Sequence, residues 1–108
     1  GRDLLIGGTG ADWLFGGDEE DILIGGSTTH DKNVADLQAV MAEWTRTDHN
    51  RKQRVYYLTH GGKYNGDVVL SNSTVIDDGA VDHLFGEGDL DFFWPGAGDL
   101  TDAAGAEL

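Results

Sequence analysis

At both ends of the chain, apolar residues come in short triplets rather than long runs. Leu4-Leu5-Ile6, Trp13-Leu14-Phe15 and Ile22-Leu23-Ile24 recur at nine-residue intervals, each followed by two glycines. Triplets of β-branched, aromatic and leucine residues between turn residues predict short strands. Side chains alternate along a strand, so Leu5, Leu14 and Leu23 share one direction and their neighbours the other. From Val34 the period changes. Val34, Leu37, Met41 and Trp44 recur at helical spacing, with Asp31 or Asn33 able to cap the start. A second helix is predicted over 48–60, capped by Thr47 or Asp48, with Val55 and Leu58 on its apolar face and Gly61-Gly62 as its stop. Arg51, Lys52 and Arg54 on it read as a solvated face. Val68-Val69-Leu70 reads as a short strand. The triplets then return as Thr74-Val75-Ile76, His83-Leu84-Phe85 and Phe92-Phe93-Trp94.

The triplets belong to a larger unit. Residues 7–15 and 16–24 align without a gap: two glycines, Asp at the sixth position, then the triplet. Residues 1–6 are the back half of such a unit, and Gly25-Gly26 opens a fourth, in which His30 takes the Asp slot and Asp31 follows one place late. Degraded units carry Asp82 and Asp91 in phase, and a last one begins at Pro95 and carries Asp99. A lone unit cannot bury its apolar face, whereas stacked units can. Stacking also aligns Asp3, Asp12 and Asp21, with Asp18, Glu19 and Glu20 beside them. Carboxylates that close destabilise one another unless a cation lies between them. Carboxylates and turn carbonyls are hard oxygen donors suited to Ca²⁺.

The pattern G-G-x-G-x-D-x-U-x, with U a large apolar residue, resembles the RTX or haemolysin-type calcium-binding repeats of secreted bacterial proteins. The resemblance is strong over residues 1–26 and weaker over 74–99. It implies a mainly β fold, a right-handed parallel β-roll (solenoid) of nonapeptide repeats, here interrupted by a two-helix insertion. The expected layout is one module: roll over 1–30, insertion over 31–66, roll over 67–102, and a tail from 103. It implies several Ca²⁺ ions, each between turns two repeats apart on one edge, held by Asp side chains and turn carbonyls. Carried onto this chain, the ligand set is Asp3, Gly8, Gly10, Asp12, Gly16, Gly17, Asp18, Asp21, Gly26, Thr28, Asp31, Asp77, Gly79, Asp82, Asp91 and Asp99. Asp3 is expected to face Asp21 across one ion. Asp12 faces the fourth turn, where Asp31 or the Thr28 carbonyl replaces the missing Asp. If Thr74-Val75-Ile76 fills the strand slot vacated after Gly26, Asp82 shares an ion with Asp21, Asp91 stacks below Ser73, and Asp99 lies near Asp82. The family further implies type I secretion and folding outside the cell.

Charge sharpens this picture. Acidic residues number 20 against 7 basic, a net charge of −13, which disfavours a nucleic-acid partner. Residues 31–63 hold six of the basic residues, so the acids concentrate in the repeats. There is no cysteine and no apolar run long enough for a membrane span. The chain starts in mid-repeat and is expected to be a piece of a longer protein. No H-E-x-x-H, G-x-S-x-G or EF-hand loop occurs, so the expected function is non-catalytic: a calcium-binding structural module. The alternatives are calcium-dependent adhesion, self-association or carbohydrate binding, and the tail of a secreted hydrolase. Apolar triplet flanks such as Trp13, Phe15, Phe85 and Trp94 point outward in a roll; the Val34–Trp44 helix is expected to pack on one such face, and the other to meet a neighbouring domain or a second copy.

Overall fold

A computed structural model describes residues 2–71, 73–77, 79–88, 91–96 and 99–102. The elements are β1 (Leu4–Ile6), β2 (Trp13–Phe15), β3 (Ile22–Ile24), β4 (Ser27–Thr28), α1 (Val34–Trp44), α2 (Arg51–His60), β5 (Val75–Ile76), β6 (His83–Phe85), β7 (Phe92–Trp94) and β8 (Leu100–Thr101). Among the described residues the two helices hold as many residues as the eight strands, so the fold is mixed α/β rather than mainly β. It forms two compact units. One is Gly1–Ser27 with the chain from Val75 onward; the other is Thr28–Thr74.

The first unit contains two three-stranded sheets, ordered β1-β3-β7 and β2-β6-β8. All their pairings are parallel, and triplets meet in register: Leu5 opposite Leu23, Leu23 opposite Phe93, Leu14 opposite Leu84. Successive strands of the unit therefore alternate between the sheets. The middle residues of β3, β6 and β7 form a shared core of Leu23, Leu84 and Phe93, with Leu14, the middle residue of β2, packed on it. This is the alternation expected of the triplets. Ile22 and Ile24, the flanks of β3, are also fully buried, whereas Trp13 and Phe15 of β2 are exposed by more than half.

β4 and β5 make a separate two-stranded sheet. The triplet at 74–76 thus adds no strand to either main sheet. The chain leaves after Gly26 and returns at Ile76 beside it, so close that a Cβ on Gly26 would collide with the Ile76 carbonyl. The intervening segment falls inside a turn, and β6 follows β3 in the alternation as if nothing lay between. This overturns the slot assigned to Thr74-Val75-Ile76.

In the second unit α1 starts where expected, with Asn33 accepting from the Asp36 N–H at 3.2 Å. α2 starts later than 48. Asn50 and Gln53 exchange reciprocal side-chain-to-backbone hydrogen bonds of 2.8 and 2.9 Å, a capping box that neither Thr47 nor Asp48 completes. It stops at Gly61, whose φ of 99° lies in the left-handed region. α1 and α2 pack together, burying Val40, Trp44 and Leu58. Arg54 is not part of a solvated face. It is 1 % exposed, donates to the Trp44 carbonyl at 3.1 Å and lies 4.6 Å over the Trp44 ring. Such stacking suits the planar, weakly hydrated guanidinium. Val68–Leu70 is not a strand. Leu70 is instead anchored by its N–H to the Leu58 carbonyl at 2.7 Å.

Leu84→Ala should cost about 2–5 kcal/mol, since it opens a cavity at the centre of the first unit. Trp13→Ala, at an exposed flank, should cost much less. Urea denaturation of the folded chain compares the two, and equal losses would contradict this core.

Candidate metal centre

The residue before each strand of the two main sheets is an Asp, and parallel pairing stacks these residues two strands apart in sequence order within the unit. The Asp3 N–H donates to Asp21 Oδ1, and the Asp21 N–H to Asp91 Oδ1, both at 2.7 Å. On the other side the Asp12 N–H donates to Asp82 Oδ1 at 2.7 Å and the Asp82 N–H to Asp99 Oδ1 at 2.9 Å. Two carboxylate ladders result, Asp3–Asp21–Asp91 and Asp12–Asp82–Asp99. The backbone continues each one: the Asp3, Asp21, Asp12 and Asp82 carbonyls accept from Ile22, Phe92, His83 and Leu100.

One oxygen of each lower carboxylate is thus committed to the ladder. The other, like Oδ2 of the topmost Asp12, turns into a glycine corner. A Cβ on Gly16 would lie 2.6 Å from Asp21 Oδ2, and one on Gly7 2.8 Å from Asp12 Oδ2. Gly25 would meet Asp99 Oδ2 at 2.7 Å and Asp82 Oδ2 at 2.9 Å. Only glycine leaves room for these carboxylates. Asp12 Oδ2 and Asp21 Oδ2 are buried and accept no hydrogen bond. Burial, and then the charge of Asp3, pushes the Asp21 carboxyl up to about 6, against the pull of its hydrogen bond from the Asp3 N–H. A buried anionic oxygen without a donor is costly unless a cation meets it.

The other expected ligands fall into three groups. Gly8, Gly10, Gly17 and Gly79 sit in the turns with positive φ, the backbone shape that exposes turn carbonyls. Asp18 adjoins Gly88, and Asp77 adjoins Gly96, so turns on one edge do stack. Thr28 and Asp31 satisfy each other: Asp31 Oδ1 accepts from the Thr28 hydroxyl at 2.6 Å and Oδ2 from the Thr28 N–H at 3.1 Å. His30, in the old Asp slot, bonds Asp36 and the Val69 carbonyl instead. The pairing across the insertion also differs from expectation. Asp82 meets Asp12 rather than Asp21, and Asp91 meets Asp21 rather than Ser73, because the insertion contributes no strand. Asp99 does lie by Asp82. Among the described residues no three acidic or histidine side chains converge on one point, so any ion needs turn carbonyls as well as the ladder carboxylates. That oxygen donor set fits Ca²⁺.

Residues 1–28 match the family model of the RTX calcium-binding nonapeptide repeat (4 copies). No curated protein and no solved structure matches the chain. RTX repeats bind calcium, are typical of secreted proteins and are typically non-catalytic. No helix among the described residues is long and apolar enough to cross a membrane. One participant at the turns was not foreseen from the sequence. Asp102 accepts from Gly86 and Glu87 N–H groups at 2.8 and 2.9 Å. Its only sequence signal is a charged residue at the end of a triplet slot.

The raised Asp21 value has a definite sign. The folded chain binds its proton more tightly than the unfolded chain, so without metal this site loses stability as pH rises from about 4 through about 6. The loss is up to about 3 kcal/mol. In chelator, therefore, the far-UV circular dichroism should look more folded at pH 5 than at pH 7. A less folded spectrum at pH 5 would contradict it.

Proposed function

We propose that this chain is a calcium-dependent structural module, a parallel β-roll that assembles when Ca²⁺ neutralises its turns. The buried, undonated Oδ2 atoms of Asp12 and Asp21 carry this reading. The ligand side chains are Asp3, Asp12, Asp18, Asp21, Asp77, Asp82, Asp91 and Asp99, supplemented by carbonyls of the glycine turns. Thr28 and Asp31 are left out, being occupied with each other. Without the ion, the unfolded chain avoids the repulsion of the ladders, so metal binding supplies folding energy. A protein of this kind stays loose where calcium is scarce and folds where it is abundant, which suits export followed by folding outside the cell, as in type I secretion.

A second reading concerns the outer face of β2 and β6. Trp13 stacks on His83 with ring centres 3.9 Å apart, and Phe15 on Phe85 at 5.3 Å. Trp13 and Phe15 remain largely exposed. That strip favours contact with a neighbouring domain or a second copy. It favours carbohydrate less, because the rings spend faces on each other that a sugar would need.

Circular dichroism and calorimetric titration with Ca²⁺ test the first reading. Calcium should raise β content and chelator should reverse it, with Mg²⁺ a poor substitute. Asp21→Asn retains a ladder oxygen but removes the charge, and should weaken calcium binding about tenfold or more. A spectrum indifferent to calcium would sink the proposal.

A further inference from the structure

The second unit, Thr28–Thr74, holds together without stacked carboxylates. Its acids over 31–63 each meet a donor of the same unit. Asp31 accepts from the Thr28 hydroxyl and N–H, and Asp48 from the Arg46 guanidinium. Asp36 is bonded to the His30 ring at 3.0 Å and Glu43 to the His49 ring at 2.8 Å. Val40, Trp44, Leu58 and Leu70 form an apolar interior, each at most 2 % exposed. The Asn65 amide ties the chain after α2 back to it, donating to the Tyr57 and Val68 carbonyls at 2.8 and 2.9 Å. Capped helices, an apolar interior and carboxylates matched by local donors hold this unit without a cation.

The unit is also closed at its base. The Thr29 N–H donates to the Thr74 carbonyl at 2.8 Å. The Thr74 hydroxyl donates to the Val69 carbonyl at 2.9 Å and accepts from the Ser71 N–H at 2.8 Å, which fixes Thr74 within the unit. Directly beyond, β4 pairs with β5, and Gly26 lies against the Ile76 carbonyl. The first unit depends on that adjacency. Both of its carboxylate ladders bridge the insertion, Asp12 to Asp82 and Asp21 to Asp91, 70 residues apart. Bringing Gly26 to Ile76 closes a loop of about 50 residues when the insertion is disordered, but of only about five once Thr29 is bonded to Thr74. Loop closure weakens as the 3/2 power of length, so the folded insertion favours the roll on the order of thirtyfold.

We propose that the inserted unit is a folding clip. It folds on its own bonds without calcium and joins the two repeat segments at one corner, so that the roll closes on its ions across a short loop. The clip acts through its joined ends, Thr29 and Thr74, and through nothing else in the unit. Its calcium independence rests on the reading of the first unit as the calcium-dependent part. The entropy it removes does not, since the two repeat segments must meet at Gly26 and Ile76 whatever neutralises the ladders.

Amide hydrogen exchange on the whole chain tests this. The Arg54, Gly61 and Leu70 amides donate within the inserted unit, and those of Ile22 and Phe92 to the Asp3 and Asp21 carbonyls of the first. In chelator the former three should stay protected, and the latter two should exchange about a hundredfold faster than with calcium. Loss of protection at Arg54, Gly61 and Leu70 on calcium removal would overturn the clip. Persistent protection of Ile22 and Phe92 in chelator would instead count against the calcium dependence of the roll, and the clip is then decided by its variants. Trp44→Ala/Leu58→Ala opens cavities that melt the inserted unit, and with calcium present should lower Phe92 protection about tenfold or more. Adding Thr29→Cys/Thr74→Cys to that variant should restore Phe92 protection when the disulfide is formed and not when it is reduced. Loss of protection at Leu70 with none at Phe92, or no recovery with the disulfide formed, would overturn the clip.

Discussion

The first unit depends on stacked carboxylates, of which Asp21, Asp82 and Asp91 lie where water does not reach them. Asp21, Asp91, Asp82 and Asp99 each lend one oxygen to the backbone N–H of the Asp above it, which holds neighbouring strands in register. The same geometry turns the second oxygen into a corner that only glycine can leave open. A strand register and a buried anion are therefore one structural feature. Strengthening the stack by adding strands adds anions too, and the unit needs an outside source of positive charge. With 20 acids against 7 bases overall, and six of those bases lying in residues 31–63, the repeats cannot find it in their own side chains. Calcium, with its tolerance for mixed carboxylate and carbonyl shells, answers that need.

The insertion is compatible with this because it enters at a turn. Gly25-Gly26 and the chain returning at Ile76 and Asp77 behave as two parts of one corner. Parallel strands spaced by hydrogen bonds leave no place for an extra pairing element, but a corner can be opened if its two ends stay adjacent. The absent Cβ of Gly26 is what lets the Ile76 carbonyl return to it. The inserted unit has its own stabilisation: the Asn50–Gln53 box, the stacking of Arg54 on Trp44, and the anchoring of Leu70 by Leu58. Thr28, His30 and Asp31, which occupy the fourth repeat's ligand region in the linear count, are used for local bonds of that unit instead.

Much of this was legible in residue order. The nine-residue recurrence of triplets marked every strand of the two main sheets except the short β8, and alternation within each triplet identified Leu14 and Leu23 as inward-facing. Helical spacing located α1 to the residue, and the glycine stop located the end of α2. The carboxylates of the ladders were all among the expected ligands. These features are local: period, propensity and turn chemistry are set by neighbours in the chain.

What residue order left open was pairing over distance. Whether Asp82 belongs with Asp12 or with Asp21 turns on whether three residues, Thr74-Val75-Ile76, occupy a strand slot, and their composition suits a strand either way. Only the fold decides, by pairing β5 with β4 outside the main sheets. Arg54 likewise reads as a surface cation until Trp44 is brought over it, and Asp102 as a tail residue until Gly86 and Glu87 present two N–H groups to it. The sequence by itself determined the repeat, its apolar face and its carboxylate chemistry, because those are written within nine residues. The tertiary structure decided which carboxylates meet, because that depends on hydrogen bonds between segments up to 70 residues apart.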